Sequence, residues 1–327
     1  MKVLAAAAAA LFATTSAFAA DLADKKAAPV PEAKPLIAWP TPNFDVFGAG
    51  FDYAFGVKMQ SDYVSRGISQ TNRRPSATAY GELRYGWFYA GVQPWNVNLP
   101  TQPTMELDLY GGIRPTWGPL TLDIGAIYYA YPGNKTQYFL GGAMPVLTFW
   151  TPLGVPTTAR DPSYVEIYGK TAWALNDYLT IGTGTYYAPN WNNYNAKGLY
   201  NEINAKITFG ETGFSLSGAF GHSFLGRTSW EYGFSYVDPR QFFDGIPRGL
   251  KFASYNSWNL GVSYNYKVAT LDLRYYGSSL GKAGCALNSS DPAANMGAAL
   301  FGVGQSNWCG NRFVASLSLD FSSATFK

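Results

Sequence analysis

The chain has 327 residues, of which 17% are aromatic and only 14% are charged, and its formal net charge is +3. About a quarter of the residues in a soluble domain carry charge, so this composition is poor in the side chains that face water. The small net charge gives no basic surface for nucleic acid, and after the N-terminus no apolar run reaches the roughly 18 residues of a membrane helix.

The N-terminal region predicts export. Residues 1–19 contain Lys2, the apolar run VLAAAAAALFA and the end Ala17-Phe18-Ala19, which together are typical of a secretory signal peptide. Residues 20–43 are rich in Ala and Pro and lack any helix or strand period, so we expect a disordered periplasmic leader. Composition also leaves a plug or a cell-wall tether open. Residues 44–327 are predicted to form one domain.

From Phe51 onward the chain alternates between apolar and polar residues. In FDYAFGVKMQSDYV every second side chain is mostly apolar or aromatic, which predicts a β-strand with two unlike faces. Similar segments predict about twelve strands, an even number that suits a closed barrel. The predicted strands cover residues 51–63, 76–86, 88–98, 104–114, 120–130, 163–173, 178–187, 199–209, 213–222, 256–267, 270–277 and 312–322.

Short and long connections alternate between these strands. YGW, RPTWGP, ALNDY, GETG and YKVA are short, whereas 132–162, 223–254 and 278–311 are long. This pattern predicts an all-β fold, a transmembrane antiparallel up-and-down β-barrel with short periplasmic turns and long extracellular loops. The alternative is a soluble β-sandwich or a lipocalin-like barrel, but such domains rarely use so many long strands and outward aromatic residues.

Charged residues fall on one face of the predicted strands. Because a charge facing lipid is costly, this face is predicted to line the lumen. The predicted lumen-lining residues are Asp52, Lys58, Asp62, Glu82, Arg84, Glu106, Asp108, Arg114, Glu166, Lys170, Glu202, Lys206, Asp272 and Arg274, with Asp123, Lys267, Arg312 and Asp320 on the same face. Glu82 with Arg84, and Asp272 with Arg274, are expected to pair. A barrel of about twelve strands is expected to enclose a narrow lumen.

Two residue types suggest further chemistry. Cys285 and Cys309 are the only cysteines, and both lie in the last long loop of an exported chain, so we expect a disulfide. A metal site there lacks a nearby histidine. His222, the one histidine, precedes Ser223, but adjacent strand residues point to opposite faces, so a base and nucleophile pair is not predicted. The sequence contains no cofactor motif.

The long loops suggest how the entrance is shaped. Bases outnumber acids there, with Arg66 and Lys197 among them, which predicts a mildly positive mouth that favours anions. Loops that bind lipopolysaccharide phosphates or are simply solvated remain an equal alternative. The apolar loop at 139–156 is the predicted constriction, although it could instead pack over the rim or against a neighbouring protomer.

One box resembles a known family. SDYVSRGISQTNRRPSATAYGELRYGWFYAGVQPWNVNL, followed by YPG, YVEIYGKTAW and GHS, is similar to the TorF porin family over most of residues 57–321. The resemblance implies an exported outer-membrane β-barrel of Gram-negative bacteria, with no substrate or catalytic residue attached. The loops at 133–162, 223–254 and 278–311 are longer than the family pattern.

These observations favour passive diffusion of small hydrophilic solutes or ions through a narrow lumen of mixed charge. The expected partners are outer-membrane lipid, lipopolysaccharide and those solutes, with no cofactor and an undetermined oligomeric state. A closed structural or surface-interaction barrel is the alternative. An outer-membrane lipid hydrolase is kept as a third reading for His222 alone, and the protein is not expected to be an enzyme.

Overall fold

The structure is a computed structural model that describes residues 51–134, 161–229, 249, 251–289, 291 and 305–326. The predicted signal peptide, the leader at 20–43 and the apolar loop at 139–156 lie outside the described residues. Every predicted strand is present, some with shifted ends.

The strands and the helix follow one another along the chain. They are β1 (Phe51–Gln60), β2 (Val64–Ser65), β3 (Ile68–Ser69), β4 (Ser76–Tyr85), β5 (Phe88–Trp95), β6 (Glu106–Ile113), β7 (Thr116–Trp117), β8 (Leu120–Ala130), β9 (Tyr164–Ala174), β10 (Leu179–Trp191), β11 (Ala196–Thr208), β12 (Phe214–Leu225), β13 (Tyr255–Tyr266), β14 (Ala269–Ser278), α1 (Lys282–Ser289) and β15 (Arg312–Ser322). Single 3-10 turns lie at Gly210–Thr212 and Ser323–Phe326.

Twelve of these strands close an antiparallel barrel. Chain neighbours are also barrel neighbours, β6 pairs directly with β8, and β15 returns to pair with β1 through Leu317 and Met59. The short strand β7 pairs only with the first residues of β8. β2 and β3 form a separate hairpin. The predicted up-and-down barrel is therefore confirmed.

Each barrel strand has an apolar outer face. In β1, Phe51, Phe55 and Met59 are exposed, while Ala54 and Gly56 between them are buried. The same alternation exposes leucine, isoleucine and phenylalanine side chains around the whole circumference. In the described part of the chain, no helix is both long and apolar enough to cross a membrane. A continuous apolar surface of this size is unfavourable in water.

Inward glycines make room for tyrosines inside the barrel. Gly112 and Gly125 lie opposite each other on β6 and β8, and the hydroxyl oxygens of Tyr89 and Tyr168 approach to 2.5 Å beside them. A Cβ at Gly112 would lie 2.3 Å from the Ile124 carbonyl oxygen, and one at Gly125 would lie 2.6 Å from the Tyr168 hydroxyl. A larger residue at either position would displace the strand or the ring.

The half of the interior bounded by β4 to β11 is packed. Tyr168, Tyr186 and Tyr200 follow one another across it, with ring centroids 5.8 and 6.1 Å apart. The buried cluster consists of Tyr89, Tyr110, Ile127, Tyr129, Tyr131, Tyr168, Ala172, Tyr186 and Tyr200. Side chains occupy this half of the barrel and leave no wide channel in it.

The turn between β10 and β11 is tight. Asn192, Asn193 and Asn195 have positive φ angles of 48°, 58° and 55°, a conformation that asparagine tolerates better than most residues. As a result β11 begins at Ala196, and Lys197 lies exposed on this strand. The assignment of Lys197 to an outer loop was wrong, because the strands extend further than their alternation suggested.

Candidate functional site: the inner hairpin and the lumen

A hairpin formed by β2 and β3 lies within the barrel. Arg66 and Gly67 make its turn, with φ angles of 46° and 80°. A Cβ on Gly67 would lie 2.9 Å from the Ser278 Cβ and 3.1 Å from the Ser257 Cβ, so the turn rests against β14 and β13. The hairpin therefore leaves the wall at β1 and reaches other strands across the lumen. This element was not predicted from the sequence, where Arg66 was assigned to an outer loop.

Arg66 joins the hairpin to the far wall. Its Nη1 donates to Glu166 Oε1 at 2.8 Å and its Nη2 donates to Oε2 at 2.6 Å, on strand β9. The guanidinium also lies over the rings of Tyr186 and Tyr200, 5.0 and 4.6 Å from their centroids. Burial by itself would lower the pKa of Arg66, but the Glu166 carboxylate raises it well above its usual value. This is a bidentate, charge-assisted contact.

Asp62 holds the base of the hairpin. It accepts hydrogen bonds from Ser69 Oγ at 2.6 Å, Thr71 Oγ1 at 2.8 Å and Arg312 Nη1 at 2.6 Å. Asp62 follows the end of β1, although the predicted strand at 51–63 included it. It lies at the base of the hairpin instead of in the barrel wall. Its contacts connect the start of the hairpin to its end and to β15.

The last long loop covers the hairpin. The Cys285–Cys309 disulfide predicted from the sequence is present and links α1 to the segment before β15. Cys285, Cys309 and Trp308 pack in one buried cluster with Ile68 of the hairpin. The Ser69 amide donates to the Trp308 carbonyl oxygen at 2.9 Å. The disulfide thus lies in a cap, formed by α1 and the segment around Trp308 and Cys309, that contacts the hairpin directly.

Buried ion pairs occupy the packed half of the lumen. Glu82 Oε1 accepts from Arg84 Nε at 2.5 Å and from Arg114 Nη1 at 3.1 Å, and Arg114 Nε also reaches Asp123 Oδ2 at 3.2 Å. Arg114 follows the end of β6 instead of lying in it. The Lys170 ammonium is 4.2 Å from the centroid of the Tyr168 ring.

Further predicted residues lie on the inner face of β11 and β14. Glu202 accepts from the Tyr200 hydroxyl at 3.1 Å, and Lys206 is buried on the same strand. Arg274 Nη2 donates to Asp272 Oδ2 at 2.9 Å, so both pairs expected two residues apart are formed. The Asp52 side chain is 43% exposed, and its Oδ2 lies 3.9 Å from Arg84 Nη1.

The other half of the interior has a different character. On β13, β14, β15 and β1 the inward side chains at the short-turn end are small or polar and partly exposed. They include Asn265, Thr270, Ser318 and Asp320, and Lys58 lies on the inner face of β1 two residues before its end at Gln60. By contrast, Glu82, Asp108 and Asp123 in the packed half are buried at 2% exposure or less. The inward side chains of this half are therefore polar and less buried than those of the packed half.

The histidine gives no support for a catalytic pair. His222 lies opposite Asn256 in the ladder, and its Nδ1 is 2.6 Å from the Asn256 side-chain oxygen. Ser223 is buried on the opposite, inner face of β12. Among the described residues, no group of three His, Cys, Asp or Glu side chains is arranged to hold a metal ion.

One family model matches most of the chain. The family described as "Bacterial protein of unknown function (Gcw_chp)" matches residues 47–269. No curated protein matches the chain by sequence. The family match supports the predicted resemblance in part. The TorF assignment itself stays a prediction.

Several solved structures share the architecture. The COG4313 outer membrane channel from Pseudomonas putida F1 is 10% identical, with a TM-score of 0.43 over 89% of this chain and 100% of that chain. The NanC porin is 10% identical, with a TM-score of 0.39 over 84% of this chain and 98% of that chain. OpdK from Pseudomonas aeruginosa is 10% identical, with a TM-score of 0.34 over 76% of this chain and 58% of that chain. Values this low leave function to be argued from the chain's own residues.

Proposed function

Since the chain belongs to the Gcw_chp family, whose description names no function, we propose one from the geometry: a narrow outer-membrane channel for small hydrophilic solutes or ions. The exposed apolar face of the closed barrel supports a membrane location, because lipid is the environment that such a surface needs. Outer-membrane lipid and lipopolysaccharide are its proposed surroundings, with the short turns on the periplasmic side.

The one-sided polar interior carries this proposal. Small and polar side chains along β13, β14, β15 and β1 remain partly exposed to solvent, while the ion pairs and tyrosines opposite them are packed. A barrel that served only as a scaffold would gain stability from filling this side as well. The proposed route follows the polar side from the short-turn end toward the hairpin.

The hairpin is the proposed constriction. It lies across the lumen and is held at Glu166 on one side and beneath the disulfide cap on the other. Solute passage then requires either the space left beside the hairpin or its displacement. Arg66, one of the cations counted toward the predicted positive mouth, is paired with Glu166 inside the lumen, so that prediction rests on the other loop cations.

A closed barrel is the second candidate, and a specific observation favours it. The hairpin and the tyrosine cluster together fill much of the packed half. In that case the loops, rather than the lumen, would carry the function through contact with a surface partner.

Single-channel recording separates the two candidates. Refolded protein would be added to planar bilayers under a salt gradient, with heat-unfolded protein as the control. Discrete current steps with a defined reversal potential are the expected result. Absence of current from protein shown to be folded would reject the channel and favour the closed barrel.

A further inference from the structure

Polar side chains on the outer face of the barrel are confined to one side of it. The outward residues of β1, β4, β5, β6, β8, β14 and β15 are apolar, aromatic or glycine. Within the described strands of the wall, outward threonine, asparagine and histidine side chains occur only on the consecutive strands β9 to β13. These residues, which we call the outer polar patch, are Thr171, Thr183, Thr185, Asn201, His222 and Asn256.

The patch is continuous across neighbouring strands. Thr185, Asn201, His222 and Asn256 are paired one after another in the ladder of β10 to β13. Thr183 lies two residues from Thr185 on the same face of β10. The polar groups therefore form one surface instead of isolated positions scattered around the wall.

The patch lies inside the apolar band and not at its edge. Along β12, the exposed side chains of Phe220 and Phe224 lie on either side of His222. Along β10, the exposed side chains of Ile181 and Tyr187 lie on either side of the two threonines. In a barrel whose outer face contacts lipid, these polar groups would meet acyl chains, which offer no hydrogen bonds.

Internal hydrogen bonds satisfy the patch only in part. Thr185 Oγ1 donates to Asn201 Oδ1 at 2.8 Å, and His222 Nδ1 is 2.6 Å from Asn256 Oδ1. The amide nitrogens of Asn201 and Asn256 and the Nε2 of His222 have no hydrogen-bond partner among the described residues. Because polar groups without a partner are unfavourable outside water, this side of the barrel needs a polar surface against it.

We propose that the outer polar patch is where a second copy of this chain packs, side by side in the membrane, about a two-fold axis. Under that symmetry the patch faces itself, and threonine, asparagine and histidine can each donate and accept hydrogen bonds. Between membrane segments, hydrogen bonds of this kind hold the partners together where the hydrophobic effect cannot.

Lipopolysaccharide phosphate is the poorer fit for this surface. The patch contains no lysine or arginine, and Lys197 is the one outward cation in β9 to β13 as the structure describes them. Binding of phosphate relies on such cations. A second copy instead supplies uncharged donors and acceptors that match the patch.

Cross-linking tests this arrangement. Thr185→Cys puts a thiol in the patch, and Val57→Cys puts one on the outer face of β1, which lies opposite β10 in the closed order of strands. The native cysteines are joined in the disulfide and do not compete. With folded protein in lipid vesicles and a short bismaleimide, Thr185→Cys is expected to give cross-linked dimer and Val57→Cys only background. Equal cross-linking of the two variants, or none in either, would overturn the proposal.

Apolar substitutions locate the contact. Asn201→Leu combined with His222→Phe should weaken dimerisation about tenfold or more, because hydrogen bonds across the contact are lost. Leu317→Phe, on the outer face of β15, should leave it unchanged. Analytical ultracentrifugation in detergent measures both, and a monomeric native protein would reject the contact. A monomer that binds lipopolysaccharide through Asn201 and His222 would assign the patch to that lipid instead. If the double variant fails to fold, cross-linking alone decides.

This inference rests on the membrane location proposed above and not on conduction. A folded barrel that does not insert into vesicles would refute the location and both proposals with it. Once insertion is shown, cross-linking and current are separate readouts, so the dimer and the channel can fail separately.

Discussion

Arg66, at the tip of the inner hairpin, forms a bidentate ion pair with Glu166 on the opposite wall, with N to O distances of 2.8 and 2.6 Å. The two residues are 100 positions apart in the sequence. Their side chains are 15% and 2% exposed, so the pair is largely shielded from water. The contact anchors the tip of the hairpin to the opposite wall of the barrel.

Breaking this pair should widen the lumen and destabilise the barrel. Arg66→Ala leaves Glu166 buried without its cation, at a cost of about 3 to 5 kcal/mol, and releases the hairpin tip. We expect larger current steps in planar bilayers and a lower midpoint in urea unfolding. The double variant Arg66→Ala with Glu166→Ala should recover part of the stability and keep the larger steps. Arg73→Ala, at an exposed position in the same connection, is the control. Steps of unchanged size in both pair variants would argue against the hairpin as the constriction.

The disulfide should control the same segment through its cap. Loss of the Cys285–Cys309 bond removes a constraint on a 24-residue separation, worth about 3 kcal/mol in the chain-entropy treatment. Because the cap packs on Ile68 and its Trp308 carbonyl bonds to Ser69, reduction should increase the frequency of large current steps. The variant with both cysteines changed to serine should behave like reduced protein and show no further response to reductant. A recording that is insensitive to reductant in the native protein would contradict this coupling.

The facing glycines should be intolerant of even one methyl group. Gly112→Ala would place a Cβ 2.3 Å from a backbone oxygen and 2.9 Å from the Tyr89 hydroxyl, so a loss of about 1 to 3 kcal/mol is expected. Gly169→Ala is the matched control, since a Cβ there meets nothing within 4 Å. Both variants would be compared by urea unfolding in detergent. Equal stability would show that the tyrosines beside Gly112 can move without cost.

Charged side chains on the inner faces of β1 and β15 should set the ion preference of the proposed channel. Lys58 and Asp320 are partly exposed on the inner faces of β1 and β15. Lys58→Gln should shift the reversal potential toward cation preference, and Asp320→Asn should shift it toward anions. Lys197→Gln, on the exposed face of β11, should cause no shift. If both lumen variants leave the reversal potential unchanged, the conducting path lies elsewhere.

The positions of the barrel strands were predictable, but the inner hairpin was not. Alternation is a local property, so β8 was located at its exact limits, residues 120–130. β2 and β3 have two residues each, too short for any period to appear. The motif SDYVSRGISQ was recognised as distinctive, and its Arg-Gly pair was the available signal for a tight turn. Nothing in it indicated that the turn folds inward.

The barrel was predictable from the sequence, because strict alternation, charge confined to one face and short turns leave few other ways to shield the apolar face and keep charge from lipid. The disulfide and the pairs Glu82 with Arg84 and Asp272 with Arg274 were also predictable, since these partners are close in the chain or share one loop. How the interior is filled depends on tertiary contacts. Contacts such as Arg66 with Glu166 join strands far apart in sequence, and they arise from where a closed sheet brings its walls together, which no local pattern encodes.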